Sequence, residues 1–262
     1  MRAPLTVERL GHVNVFAQSP DAEVTWQQDV FGARVLRQGD GGQAGDRGVL
    51  AEVGPTRLRT SEATTADDPG WHSVVWTVPS VEDAVAVLTE RGVRVTEQGD
   101  GHAAADPADL HGLAVELMDS SSGGDGGPAA GDEHPLGVVG TTVKVVTSEP
   151  EKAAADLAAL VGQEAYAAER PHLNMSGHGV RFEDHAVEFV ASATGSATDL
   201  AGGFLAARGE HICWLSFTVK DFLAARGFLV EHGVRFEQFG RHSLVLHAVV
   251  EGGARIEITD AD

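Results

Sequence analysis

Apolar and polar positions alternate over Leu10-Gly11-His12-Val13-Asn14-Val15-Phe16, which predicts a strand with a histidine set into it. Ser19-Pro20-Asp21 then supplies a helix start: a capping-type residue, a proline at the first turn, and an acid beside it. Val24, Gln27, Gln28 and Phe31 follow at helical spacing, and Gly32 is placed to stop the helix. Ala33 to Gln38 and Arg47 to Val53 read as strands around a glycine-rich loop at Asp40 to Asp46. Gly54-Pro55 turns the chain into a further strand, Thr56 to Ser61. The predicted order is β-α-β-β-β.

The same order recurs three more times. Strands expected at Gly70 to Trp76, Val139 to Val145 and Glu210 to Ser216 each lead into a helix ended by glycine, at Gly92, Gly162 and Gly233. Each unit closes on a strand carrying an acid or a basic group: Arg59, Glu116, Glu188 and Glu257. Gly92 to Glu116 and Gly233 to Glu257 span the same distance, and Arg91-Gly92-Val93-Arg94 matches His232-Gly233-Val234-Arg235. Such a repeat is the first fact about the fold. Aligned on the first strand, the four units place His12, His72, Thr141 and His211 in one recurring slot. The stretch Ser120 to Gly131 is glycine- and serine-rich linker, and the junction Ala193 to Gly209 reads as small and polar. The expected organisation is an N-terminal domain over 6–120 (units 6–62 and 70–120), a linker over 121–136, and a C-terminal domain over 137–262 (units 137–193 and 209–262).

Composition narrows this picture only a little. A net charge of -20 argues against nucleic acid or an anionic membrane as the main partner. The single cysteine, Cys213, excludes an intrachain disulfide and fits a reducing cytoplasm. No apolar run reaches membrane-spanning length, and the first residues lack the apolar core of a signal peptide. The expected location is the cytoplasm. No glycine-rich stretch has the pattern of a phosphate loop.

Tandem βαβββ units with His in a first strand and Glu in a last one resemble the vicinal oxygen chelate superfamily, carried best by Gly11-His12-Val13-Asn14-Val15 and Leu113-Ala114-Val115-Glu116-Leu117. That group includes glyoxalase I, methylmalonyl-CoA epimerase, extradiol dioxygenases and bleomycin resistance proteins. The resemblance implies an α+β fold of four βαβββ units paired into two domains, each with a cup-shaped mixed sheet around one divalent metal. It implies His12, His72 and Glu116 as metal ligands, with Glu188, His211 and Glu257 as a second set. Two histidines and a carboxylate suit Fe(II), with Zn, Ni, Co or Mn as other fits. Glu116 and Arg59 are the candidate catalytic residues, Arg59 through an anionic or enolate-like substrate. Strand alternation adds Asn14, Val74, Trp76, Ala114 and Met118 as substrate-lining residues.

The expected function is dioxygenase-like oxidation of a small aromatic or oxo-acid substrate held through vicinal oxygens. The single tyrosine, Tyr166, lies away from the N-terminal candidate site, unlike the acid-base tyrosine of extradiol dioxygenases. A glyoxalase- or epimerase-like lyase or isomerase, working through a metal-stabilised enediolate, is the first alternative. The second is a metal-free small-molecule (antibiotic) binding protein with Trp26, Trp71, Trp76 and Trp214 lining its cups. The expected partner is a small molecule, with a homodimer left open. His242 and His247 are placed to reach the second cup, and Cys213 has the parity of a residue beside His211.

Overall fold

A computed structural model describes residues 3–38, 48–64, 69–99, 101–121, 135–246 and 255–260. The expected loop at 40–46, most of the expected linker (122–134), His134 and His247 lie outside the described residues. The first unit runs β1 (Arg9–Ala17), α1 (Pro20–Phe31), β2 (Arg34–Gln38), β3 (Val49–Val53) and β4 (Thr56–Glu62). The second is β5 (Gly70–Val78), α2 (Val81–Glu90), β6 (Val95–Gly99), β7 (His102–Ala105) and β8 (Val115–Asp119). The third is β9 (Val138–Val146), α3 (Pro150–Val161), β10 (Ala165–Ala167), β11 (Met175–Arg181) and β12 (Ala186–Ser192). After α4 (Leu200–Arg208) comes the fourth: β13 (His211–Val219), α5 (Phe222–Glu231), β14 (Phe236–Phe239), β15 (Ser243–Leu246) and β16 (Arg255–Asp260).

The strands form two eight-stranded mixed sheets, in the orders β2-β3-β4-β1-β5-β8-β7-β6 and β10-β11-β12-β9-β13-β16-β15-β14. Within a unit the first strand runs parallel to the last, as in β1 with β4, β5 with β8 and β13 with β16. The intervening hairpin strands are antiparallel. A parallel neighbour requires a crossover, which the helix of each unit supplies.

Local chemistry sets the helix ends. Ser80 and Asp221 accept hydrogen bonds from the amides of Asp83 and Ala224, satisfying first-turn donors of α2 and α5. Gly32 and Gly162 close α1 and α3 in the left-handed conformation, at φ 63 and 71, where a side chain would be strained. Helix α4 departs from the expected irregular junction. Asp199 caps it through the Gly202 amide, and its apolar residues bury Ala201. Gly202 and Gly203 depress its helix propensity enough to hide it in the sequence, yet the cap and packing prevail. A side chain at Gly202 would collide with the Ser196 backbone, so glycine is required there. Among the described residues no helix is long and apolar enough to cross a membrane.

Contacts divide the chain into two compact units. One comprises Met1–Gly11, Ser73–Asp125 and Val143–Cys213; the other His12–His72, Gly126–Thr142 and Trp214–Asp262. In the first, Trp76, Leu88, Leu113, Leu117 and Phe189 are fully buried. A hydrogen-bonded relay leads outward from this core: the Trp76 indole N–H donates to His185 Nε2 (3.1 Å), and His185 Nδ1 meets Asp184 Oδ1 (2.6 Å). Asp184 Oδ2 accepts the Leu10 amide (2.8 Å), and the Phe182 ring stacks on His185 at 4.3 Å. In the second unit Phe31 meets Phe217 edge-on at 5.6 Å, and Trp71 donates to the Arg255 carbonyl (3.1 Å).

Candidate functional site

Sheet register decides which residues share a face, since directly opposed positions point the same way. In the first module Asn14 lies opposite Arg59 and Val13 opposite Leu58. Val13, Val15, Leu58 and Thr60 therefore face α1, where Gln27 donates to the Thr60 hydroxyl (3.2 Å). His12, Asn14 and Arg59 share the other face, as expected. The Arg59 side chain passes over Gly48, where a Cβ would come within 2.8 Å of its Nε. Beside it Glu52 is spanned by Arg34 (2.5 Å) and Arg57 (4.0 Å).

In the second module Val75 lies opposite Glu116, and the Ser73 hydroxyl donates a short hydrogen bond to Glu116. Ser73, Val75, Glu116 and Met118 thus share one face. His72 and Trp76 point from the other, which overturns both assignments. His72 is exposed and stacks on Phe16 at 4.2 Å, while Trp76 is buried against His185. Val74 shares their parity, so it too leaves the expected lining; Met118 stays.

The fourth module repeats the correction. Ser216 lies opposite Glu257, which accepts from Ser216 (2.7 Å) and Ser243 (2.6 Å). Trp214 shares that face, whereas His211 and Cys213 lie on the opposite one. His211 donates through Nδ1 to the Gly209 carbonyl (2.8 Å), and burial, ahead of the nearby Arg208 charge, holds its pKa below the ordinary value. Cys213 is fully buried, which pushes its thiol up to about 12. His242 pairs with Asp260 at 3.1 Å.

In the third module Glu188 is buried and accepts from Arg170 Nη2 (3.0 Å) and the Tyr166 hydroxyl (3.1 Å). Lys144 Nζ stands 4.0 Å from its other oxygen, both side chains being 2% exposed or less. Gly179, opposite both Tyr166 and Glu188, leaves room for the tyrosine ring: a Cβ there would sit 2.8 Å from it. Arg181 caps the ring's face at 4.5 Å. Burial and then the Glu188 charge push the Tyr166 phenol well above its usual range. The slot residue on Lys144's parity is Thr142; Thr141 points oppositely and hydrogen-bonds Thr56.

These faces do not fit a divalent metal. Among the described residues no three His, Cys, Asp or Glu side chains are grouped to hold one. Parity separates His72 from Glu116 and His211 from Glu257, so neither expected ligand set shares one face. Glu188 is already matched by Arg170 and Lys144, whose charges oppose a cation. Trp26, on α1 and edge-on to Phe31, and Trp76 likewise leave the expected cup lining.

A sequence signal existed. Counted back seven residues from the helix caps Ser19, Ser80, Glu149 and Asp221, the slot holds His12, Ser73, Thr142 and Trp214. Matching on the histidines themselves shifted three units by one to three residues. The sequence reading missed Ser73, Ser216, Lys144, Tyr166 and Arg170 as partners of the three last-strand carboxylates.

A family model of the Glyoxalase/Bleomycin resistance protein/Dioxygenase superfamily matches residues 9–117. The match lies within the first two βαβββ units and covers less than half of the chain. No curated protein matches the chain in sequence. Among solved structures, a mutant of 4-hydroxymandelate synthase from Streptomyces coelicolor is similar over 98% of this chain and 93% of that one, at 13% identity and a TM-score of 0.70. The 2,3-dioxygenase LapB from Pseudomonas sp. KL28 is similar over 99% and 94%, at 16% identity and a TM-score of 0.62. At these identities the likeness concerns the fold alone, and it runs over both halves of the chain.

Proposed function

We propose that the chain is a small-molecule-binding member of the superfamily that takes an organic acid without a resident divalent metal. One observation carries the reading: each last-strand carboxylate that would ligate a metal already accepts a hydrogen bond from a protein donor. Ser73 serves Glu116, Ser216 and Ser243 serve Glu257, and Arg170 with Tyr166 serves Glu188. Arg59 replaces the fourth carboxylate altogether.

The substitutions turn acceptor-rich faces into donor-rich ones. His12, Asn14 and Arg59 line one face of the first module, and Lys144, Tyr166 and Arg170 gather in the third. A planar guanidinium matches a carboxylate through two parallel hydrogen bonds. In a chain of net charge -20 an anion would be repelled unless such local cations held it. The oxidation performed by the dioxygenase neighbours, and an enediolate route, would both need a metal-ligating set that these faces lack.

Metal analysis of protein purified without chelator tests the reading, together with melting curves in the presence of benzoate and mandelate. We expect far less than one first-row metal per chain. We also expect a carboxylate-dependent rise in melting temperature that Arg59→Gln or Arg170→Gln removes. One iron, zinc, nickel, cobalt or manganese per chain, lost in Glu116→Gln or Glu257→Gln, would overturn it.

A further inference from the structure

We infer that a second small-molecule site lies on the helix side of the third module, and that it takes a neutral bicyclic aromatic carrying an N–H or O–H group. A cavity of about 280 Å³ opens between α3, the end of α2 and the turn through Leu110 to Leu113. Leu110, Leu113, Leu157, Leu160 and Phe189 form its apolar lining, and each is buried. The cavity is partly open to solvent, and a concave space of this kind with an apolar lining and a few polar groups is room for a small ligand. A cavity of about 150 Å³ lined by such side chains accommodates benzene, so this one has the size for two fused rings.

The polar part of the lining is formed by Arg91, Asp109, His111 and Asp156. His111 Nε2 lies 2.9 Å from Asp156 Oδ2, which Lys152 also contacts at 3.0 Å. His111 adopts a left-handed backbone (φ 54) and turns its ring edge-on to Phe189. Although burial opposes it, hydrogen bonds from His111 and Lys152 hold Asp156 below the usual carboxylate range, leaving an ionised acceptor for a ligand donor. The formal charges of these groups sum to zero: Lys152 pairs with Asp156, Arg94 spans Asp106 and Asp109, and Arg91, which donates to the Ala159 carbonyl (3.3 Å), offsets the remaining acid. A balanced rim over an apolar floor favours a neutral ring system with one donor over an organic anion or cation. The site lies on different residues from the carboxylate-bearing faces and does not depend on the function proposed for them.

Calorimetric titration of the full chain with indole tests this. We expect saturable binding that Ala153→Leu or Leu157→Phe abolishes by filling the space, with the melting temperature held or raised. Asp156→Ala should weaken indole about tenfold, as expected for a hydrogen bond to a charged group, and leave toluene binding unchanged. No saturable heat up to the solubility of indole overturns the inference. So does an indole affinity that both filling variants leave unchanged, or a fall in melting temperature in both.

Discussion

Replacing Trp76 by Phe probes the relay that ties β5 to the hairpin between β11 and β12. An indole N–H can only donate, so His185 Nε2 must accept, and the imidazole is therefore the neutral form protonated on Nδ1. That proton goes to Asp184 Oδ1, while Asp184 Oδ2 takes the Leu10 amide. Trp76→Phe removes the donor and strands a fully buried ring nitrogen, at a cost of about 1–3 kcal/mol. It also deletes ring atoms from a side chain with no exposure, adding about 1–2 kcal/mol. The sum, about 2–5 kcal/mol, is a large part of the ~5–15 kcal/mol typical of a folded protein. For a chain of this size it amounts to a fall in melting temperature of roughly 5–15 °C. Thermal unfolding followed by circular dichroism measures it, alongside His185→Phe and the double variant. Because the double variant removes both partners, its cost should be smaller than the sum of the single ones. A Trp76→Phe loss under about 0.5 kcal/mol, the size of an ordinary surface change, or strict additivity in the double variant, would refute the assigned tautomer and bond.

Gly179→Ala should cost about 1–3 kcal/mol by overpacking and displace Tyr166 from Glu188; an unchanged tyrosine absorbance titration would contradict it. Cys213, buried with its thiol raised to about 12, should resist a thiol reagent at pH 8 until the chain unfolds; rapid stoichiometric labelling of native protein would count against this. Hydrogen bonds from the Arg94 side chain, then its backbone amide, lower Asp109 to about 2. A depressed carboxylate stabilises the fold above its unfolded pKa of about 3.9 and loses that contribution as pH falls toward about 2. Asp109→Asn should therefore flatten the acid limb of a stability–pH profile between those values; an unaltered limb would argue against the pair.

Much of the architecture was legible because it depends on local chemistry. Ser19-Pro20 and Ser80 start helices, Gly32 and Gly162 end them in a conformation that suits glycine, and alternation marks the strands between. Helix α4 was not legible, since a capping Asp199 and tertiary packing outweigh a glycine pair inside it. The site was legible only in part. His12, Arg59, Glu116, Glu188 and Glu257 were located by the repeat, and β1/β4, β5/β8 and β13/β16 register places Arg59, Glu116 and Glu257 at one equivalent position. His72 and His211 were misjudged because a strand has a side-chain period of two, so a displacement by an odd number of residues reverses the face. Nothing in the amino-acid order alone says that Ser73 will satisfy Glu116, or that Arg170 and Lys144 will close on Glu188.

The sequence by itself determined a fourfold βαβββ chain, because caps, glycine stops and alternation act over a few residues and need no partner far away. Only the tertiary structure decided which residues share a face, since register is set by the pairing of strands forty and more residues apart. That pairing puts Ser73 rather than His72 on the Glu116 face, and Trp214 rather than His211 beside Glu257.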